Sequence, residues 1–332
     1  MADKLTPKEN RLRMLRGEIP EYVPSYFDGA VAPLQDEMLT PASAPGGSFT
    51  TVYGVEYVGS EANGWGAMPA PGKILLPDIR KWRDVIHNPD TTGRDWEGYY
   101  KKQTEKIDRS KCLVTFAGGD YFLTLVAFMG FEGALLAMYE EPEEVHALLD
   151  YVSGYYLEVM KQQIRCVHPD VFGLMDDDSG YRSPFFSLEM YREFFKPLHK
   201  KHCDLALENG MFIDRHDCGH SEQFIEDWLE LGVCAWNPVQ TTNDCRGIKE
   251  KYCGRLAITG CWDNQGVFNN PKIDIGFLKD AMAEYTDTFV PGGSFVWSAI
   301  VTGSFTDPDI QERSKVIRAF YDDYVHDYYK TH

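Results

Sequence analysis

Two stretches of the sequence decide the fold: residues 171–178 read VFGLMDDD, and residues 211–220 read MFIDRHDCGH. Each begins with about five mostly apolar residues, as a buried β-strand does, and ends in a cluster of polar side chains. Ser187 begins a helical pattern between them, and Asn209-Gly210 ends it. A strand, a helix and a second strand in this order predict a parallel βαβ unit.

The same alternation continues along the chain in both directions. Apolar runs predict further strands over 23–27, 113–116, 233–236, 255–260 and 294–298. Seven strands separated by helical segments, with no glycine-rich nucleotide-binding signature after the first, favour an α/β fold: a single (β/α)8 TIM-type barrel. We expect residues 1–332 to form this one barrel domain. Residues 1–80 form an irregular N-terminal extension packed on it, because residues 32–78 are rich in Gly and Pro and predict loops, short hairpins or a lid.

The composition argues against some classes of partner. The 332 residues include 33 basic and 51 acidic side chains, a net charge of −18, whereas nucleic acid binding needs a positive surface. No run of about 18 apolar residues is present, and the first residues lack the apolar core of a signal peptide. We therefore expect a cytoplasmic protein that binds neither nucleic acid nor membrane. Its eight cysteines favour free thiols or metal ligands over a disulfide framework.

Polar residues at the ends of the predicted strands form a candidate metal site, because the active site of a (β/α) barrel lies at the C-terminal ends of its strands. His216 and Cys218 are two residues apart, so both side chains point the same way on an extended segment. Cys261 follows a later strand and would complete three zinc ligands with an open fourth position. Asp177 or Asp178 would fill that position or assist catalysis; an ordinary solvated turn is the alternative interpretation of these aspartates.

Several segments resemble the uroporphyrinogen decarboxylase superfamily, namely residues 6–26, 175–178 with 187–197, and the motif His216-Asp217-Cys218-Gly219. The His-x-Cys pair resembles the zinc motif of the corrinoid-dependent methyltransferase branch. Decarboxylases of the superfamily carry an Arg-Gln-Ala-Gly-Arg segment near the N-terminus, and nothing similar follows Phe27 here. Methyltransferases that act on a thiol such as coenzyme M take a further Cys from the last strand, where this chain has FVWSA at 295–299.

The resemblance implies the substrate-side methyltransferase component of an O-demethylase. In that role, zinc held by His216, Cys218 and Cys261 would polarise the ether oxygen of a small methoxylated aromatic substrate. The methyl group would pass to the cobalt of a corrinoid (cobalamin) that a partner protein carries. The planar ring would be bound by Trp262, Trp297 and Tyr181, although the two tryptophans also suit ordinary barrel packing. The alternatives are a methylcorrinoid:thiol methyltransferase, a uroporphyrinogen-type decarboxylase and a non-catalytic binding subunit of a corrinoid assembly.

Overall fold

The computed structural model describes residues 5–39, 47–59, 66–270, 272–303 and 307–332. The strands in these ranges are, in chain order, β1 (Val31–Pro33), β2 (Phe49–Thr50), β3 (Glu56–Gly59), β4 (Ala67–Pro69), β5 (Leu113–Gly118), β6 (Val171–Met175), β7 (Phe212–His216), β8 (Val233–Val239), β9 (Ala257–Gly260) and β10 (Phe295–Val296). The α-helices are α1 (Pro7–Leu15), α2 (Trp82–Val85), α3 (Trp96–Thr104), α4 (Phe122–Met129), α5 (Phe131–Glu140), α6 (Pro142–Val167), α7 (Leu188–Met190), α8 (Lys196–Glu208), α9 (Ile225–Glu230), α10 (Cys245–Tyr252), α11 (Ile275–Phe289), α12 (Pro308–Phe320) and α13 (Tyr328–Thr331).

Seven of these strands form one parallel sheet in the order β1-β5-β6-β7-β8-β9-β10. From β5 to β10, neighbours in the sheet follow one another in sequence, as they do when each helix crosses over to the next parallel strand. The segment before β1 forms a parallel bridge from Ser25 to Trp297, immediately after β10, so this part of the chain contacts both edges of the sheet. The predicted α/β fold is thereby confirmed as a curled parallel sheet, which is consistent with a TIM-type barrel.

The N-terminal edge of the sheet differs from the prediction. The edge strand is β1, and within the predicted strand 23–27 only Ser25 forms a bridge. The amides of Ser25 and Phe27 donate to side-chain oxygens of Asp28 and Ser25, at 3.2 and 3.0 Å, so they are not free to pair with a neighbouring strand. An eighth strand of the main sheet is therefore not seen in the described ranges.

The N-terminal segment contains a second, smaller sheet. Strand β3 is antiparallel to both β2 and β4, as expected for short hairpins in this segment. Residues 40–46 and 60–65 of the segment lie outside the described ranges. Tyr53, between β2 and β3, packs edge-on against Phe128 of α4 at 5.3 Å and against Tyr155 of α6 at 6.1 Å. This contact holds the small sheet against the helices that follow β5.

Helix α1 covers the end of the main sheet at which its strands begin. Thr6 and Glu9 form a capping box at its start, and Pro7 occupies the first turn, where a missing N–H costs nothing. Met14 and Leu15 form a small apolar cluster with residues from five strands, among them Leu113, Val171, Ala235, Ala257 and Val296. Because α1 covers that end, the C-terminal ends of the strands are left for a functional site.

None of the helices in the described part of the chain is by itself long and apolar enough to cross a membrane. Helices α4 and α5 meet the criteria of length and composition only as a pair, across a bend of 108°.

Candidate metal centre

The structure brings three possible metal ligands together at the ends of β6 and β7. One ligand atom each from Asp177, His216 and Cys218 lies within 4.8 Å of the other two. His216 Nε2 is 3.8 Å from Cys218 Sγ and 4.0 Å from Asp177 Oδ1. Tetrahedral zinc holds its ligand atoms about 3.3–3.8 Å apart, so a small contraction of this group would suit the ion.

The geometry of the group follows from strand pairing. Met175 of β6 pairs with His216, the last residue of β7, so the residues after each strand emerge at the same level. His216 and Cys218 project to one side because side chains alternate along an extended chain. The Cys218 amide donates to Asp177 Oδ1 at 2.8 Å, which fixes the carboxylate beside the thiol.

The electrostatics of the group favour a bound cation. Burial, together with the neighbouring Asp177 carboxylate, raises the pKa of the Cys218 thiol to about 12. Cysteine binds zinc as the deprotonated thiolate. The two positive charges of the ion offset the repulsion between this thiolate and the neighbouring carboxylate. One imidazole nitrogen, one sulfur and one carboxylate oxygen are donors that zinc accepts, so the residues present fit this metal.

Asn237, on β8, orients the histidine of the group. Its side-chain oxygen lies 3.0 Å from His216 Nδ1. Its side-chain amide hydrogen-bonds to the Asp214 carboxyl. This bond lowers the pKa of Asp214, whereas burial, the larger effect, raises it to about 6. With the Asn237 amide nitrogen directed to Asp214, its oxygen accepts a hydrogen bond from His216 Nδ1. The Nε2 lone pair is then directed toward Cys218 and Asp177.

We expect the Asn237→Ala variant to bind zinc roughly 10- to 100-fold more weakly than the wild type, because the imidazole loses the partner that fixes its tautomer and orientation. Competition with a chromogenic chelator at constant pH measures this affinity. Asn209→Ala, at the exposed end of α8, is the matched control and should bind zinc as the wild type does. Equal affinities for the two variants would exclude this orienting role.

Cys261, predicted as a third zinc ligand, is not brought into the group. Gly260 and Cys261 both have positive φ angles, 129° and 59°, so the chain turns sharply as soon as β9 ends. The Cys261 thiol is buried and hydrogen-bonds with Cys245 of α10 instead of facing Cys218. The alternation that aligns His216 with Cys218 does not extend past such a turn.

Asp178, one of the two predicted catalytic aspartates, lies in a buried ion pair. Its Oδ2 accepts from Arg215 at 2.6 Å, and the same guanidinium nitrogen donates to Asp217 at 2.7 Å. All three side chains are fully buried. Asp178 therefore binds the loop after β6 to the loop after β7, and Asp177 alone of the two faces the metal group.

The three predicted ring-binding residues occupy different environments. Trp262 and Tyr181 line a cavity of about 540 Å³ that also includes Cys218. Tyr181 is 75% exposed, whereas Trp262 stacks on Phe268 at 4.3 Å. Trp297 is not brought to this cavity: it is fully buried, and its indole nitrogen donates to Thr286 of α11 at 3.0 Å. For Trp297 the structure favours the packing interpretation over substrate contact.

Asp120, which was not among the residues predicted for the site, lies close enough to the metal group for the charge of Asp177 to act on it. It follows β5 after Gly118-Gly119, so the same reasoning from strand ends that identified Asp177 would have found it. Burial and the charges of Asp176 and Asp177 raise the Asp120 pKa to about 7. Asp176 itself accepts three hydrogen bonds from the first amides of α4, at 2.8–3.0 Å, and so has a structural role.

The protein thus combines a curled parallel sheet, consistent with a TIM-type barrel, with candidate metal ligands at the C-terminal ends of the strands. The uroporphyrinogen decarboxylase (URO-D) family profile matches residues 101–287, more than half of the chain, and the chain belongs to this family. No curated protein matches the sequence. Among solved structures, a methyltransferase from Methanosarcina mazei aligns over 97% of this chain and 99% of its own, with a TM-score of 0.63 and 13% sequence identity. At that identity the match shows a shared fold.

Proposed function

We propose that this protein is a zinc-dependent methyltransferase that moves a methyl group from a methoxylated aromatic substrate to the cobalt of a corrinoid carried by a partner protein. The grouping of Asp177, His216 and Cys218 beside an open cavity carries the proposal. The name of the Methanosarcina mazei protein with the same fold supports the methyltransferase class. The finer assignment to an O-demethylase rests on the resemblance of the His-x-Cys motif.

Each residue of the group has a definable part in this reaction. His216 and Cys218 would hold zinc, and Asp177 would either complete its coordination or yield its place to the substrate oxygen. Bound zinc supplies a Lewis acid that stabilises the negative charge left on the ether oxygen as the methyl group departs. The 540 Å³ cavity beside Cys218 gives a second reactant a route to the same point. The partner that carries the corrinoid would dock over this opening.

The cavities next to the group argue against the decarboxylase alternative. A porphyrinogen carries several carboxylates, and proteins bind such groups mainly through arginine. No Arg or Lys is present among the described residues that line the cavity beside Cys218, or among those that line another cavity, which Asp120 borders. Binding a polyanion there would place carboxylates against Asp120 and Asp263 without compensation.

Methyl transfer in both directions tests the proposal. We expect the zinc-loaded protein to methylate the reduced corrinoid of a corrinoid protein when 2-methoxyphenol or a related methoxylated aromatic is added, with the change in the corrinoid absorption spectrum as the readout. The same mixture with methylated corrinoid and coenzyme M tests the thiol alternative. Methylation of the thiol, together with no reaction of any methoxylated aromatic, would exclude the O-demethylase assignment.

A further inference from the structure

A second cavity, of about 220 Å³, lies between the small β2–β4 sheet and helices α4 and α6. Aromatic rings and aliphatic side chains form most of its walls, and the rings are those of Phe49, Tyr53, Tyr57, Phe128 and Tyr156. Phe49 stacks on Tyr57 at 4.7 Å, and Tyr53 meets Phe128 edge-on at 5.3 Å. An apolar cavity of about 150 Å³ accepts benzene, so this one has room for a single ring with small substituents.

Asp120 is the charged residue among the described lining of this cavity. Gly118 of β5 pairs with Leu174 of the adjacent parallel strand β6. Asp120 comes two residues after Gly118, and Asp177 comes three residues after Leu174, so both emerge at the same end of the sheet. The aromatic cavity therefore adjoins the metal group on its β5 side. The positive charge that acts on Asp120 is Arg215, which already pairs with Asp178 and Asp217.

This charge distribution selects among ligands. A carboxylate on a bound ring would approach Asp120 and the nearby Asp176 and Asp177 with no basic side chain in the described lining to compensate. Like charges at short range in a partly dehydrated site repel strongly. A phenolic hydroxyl, by contrast, donates a hydrogen bond that a carboxylate accepts.

We propose that the aromatic cavity binds the ring of an uncharged methoxyphenol, whose free hydroxyl donates to Asp120, and that it rejects rings bearing a carboxylate. This inference rests on the proposed function for the direction of the methoxy group toward Asp177, His216 and Cys218. It goes further in naming the class of donor and the residue that selects it. Asp120 acts here as a specificity determinant.

Isothermal titration calorimetry of the zinc-loaded, full-length protein at pH 8, without corrinoid protein, tests this inference. The probes are 2-methoxyphenol, 4-hydroxy-3-methoxybenzoate and tetramethylammonium. We expect the wild type to bind the methoxyphenol at least about tenfold more tightly than the methoxybenzoate. Asp120→Asn should weaken methoxyphenol binding by about tenfold and strengthen methoxybenzoate binding, because it removes the charge and keeps the shape.

Two further variants separate the cavity from general effects on stability. Tyr57→Leu should weaken methoxyphenol binding, whereas Tyr139→Leu, an equivalent change at an exposed position of α5, should not. Asp280→Asn, on the exposed side of α11, is the control for the loss of one negative charge and should leave the preference unchanged.

Several results would overturn the assignment. One is equal affinity of the wild type for the phenol and the benzoate, and another is a preference that Asp120→Asn leaves intact. Tighter binding of tetramethylammonium than of the phenol would reassign the cavity to a cationic ligand, which aromatic rings beside a carboxylate also suit. Selective binding of the methoxyphenol without methyl transfer to a corrinoid protein would support the cavity assignment and count against the proposed reaction, so the two failures are distinguishable.

Discussion

Purified wild-type protein is expected to contain about one zinc ion per chain, and the His216→Ala, Cys218→Ala double variant essentially none. The variant keeps only Asp177 of the three grouped ligands, and a single carboxylate does not hold zinc against dialysis. Methyl transfer should fall at least about 100-fold in the double variant if zinc polarises the substrate oxygen. Elemental analysis of both proteins after dialysis measures the metal directly.

The same experiment decides between two ligand sets. Sequence reasoning made Cys261 a ligand, whereas the structure directs its thiol toward Cys245. We therefore expect Cys261→Ala to retain its zinc, with Cys253→Ala, at an exposed position, as the matched control. Loss of zinc from Cys261→Ala alone would show that the loop after β9 rearranges when the metal binds. Full zinc content in the double variant would refute the site.

Much of the fold could be predicted from the sequence because its strands are short apolar runs that end in polar residues. The sequence predicts strands over 171–175 and 211–216, and the observed strands are Val171–Met175 and Phe212–His216. The edge strand β1 was missed, since the three residues Val31–Pro33 carry too little pattern to distinguish a strand from a loop. Residues on β2–β4 gave only a Gly- and Pro-rich signal, so their pairing could not be predicted.

The candidate site could be predicted only as far as the backbone stays regular. His216 and Cys218 are brought together by the alternation of an extended segment, and Asp177 by the pairing of the neighbouring strand. Cys261 follows a turn with positive φ, which the sequence does not reveal for a non-glycine residue. Trp297 follows a strand of only two residues, so the face to which it points depends on packing against α11.

Replacing Arg215 by methionine is expected to lower the free energy of unfolding by about 3–5 kcal/mol, the largest stability effect that the site offers. The guanidinium is fully buried and lies 5.2 Å from the Trp228 ring. Without it, the carboxylates of Asp178 and Asp217 remain buried with no cation beside them. Urea unfolding followed by fluorescence measures the loss. Arg246→Met, which removes an exposed pair with Glu284 at 3.5 Å, should cost less than about 0.5 kcal/mol.

Arg215 also connects stability to the metal site, because it joins the two loops that present the ligands. Asp217 accepts from the Asp178 amide at 3.2 Å and from Ser221 at 2.9 Å, so the loops after β6 and β7 share one buried network. Adding Asp178→Asn and Asp217→Asn to Arg215→Met removes the unpaired charges and should restore much of the lost stability. If this triple variant regains stability but binds zinc more weakly than the wild type, the ion pair positions Asp177 and Cys218. If it regains stability and binds zinc as the wild type does, the pair serves the fold alone.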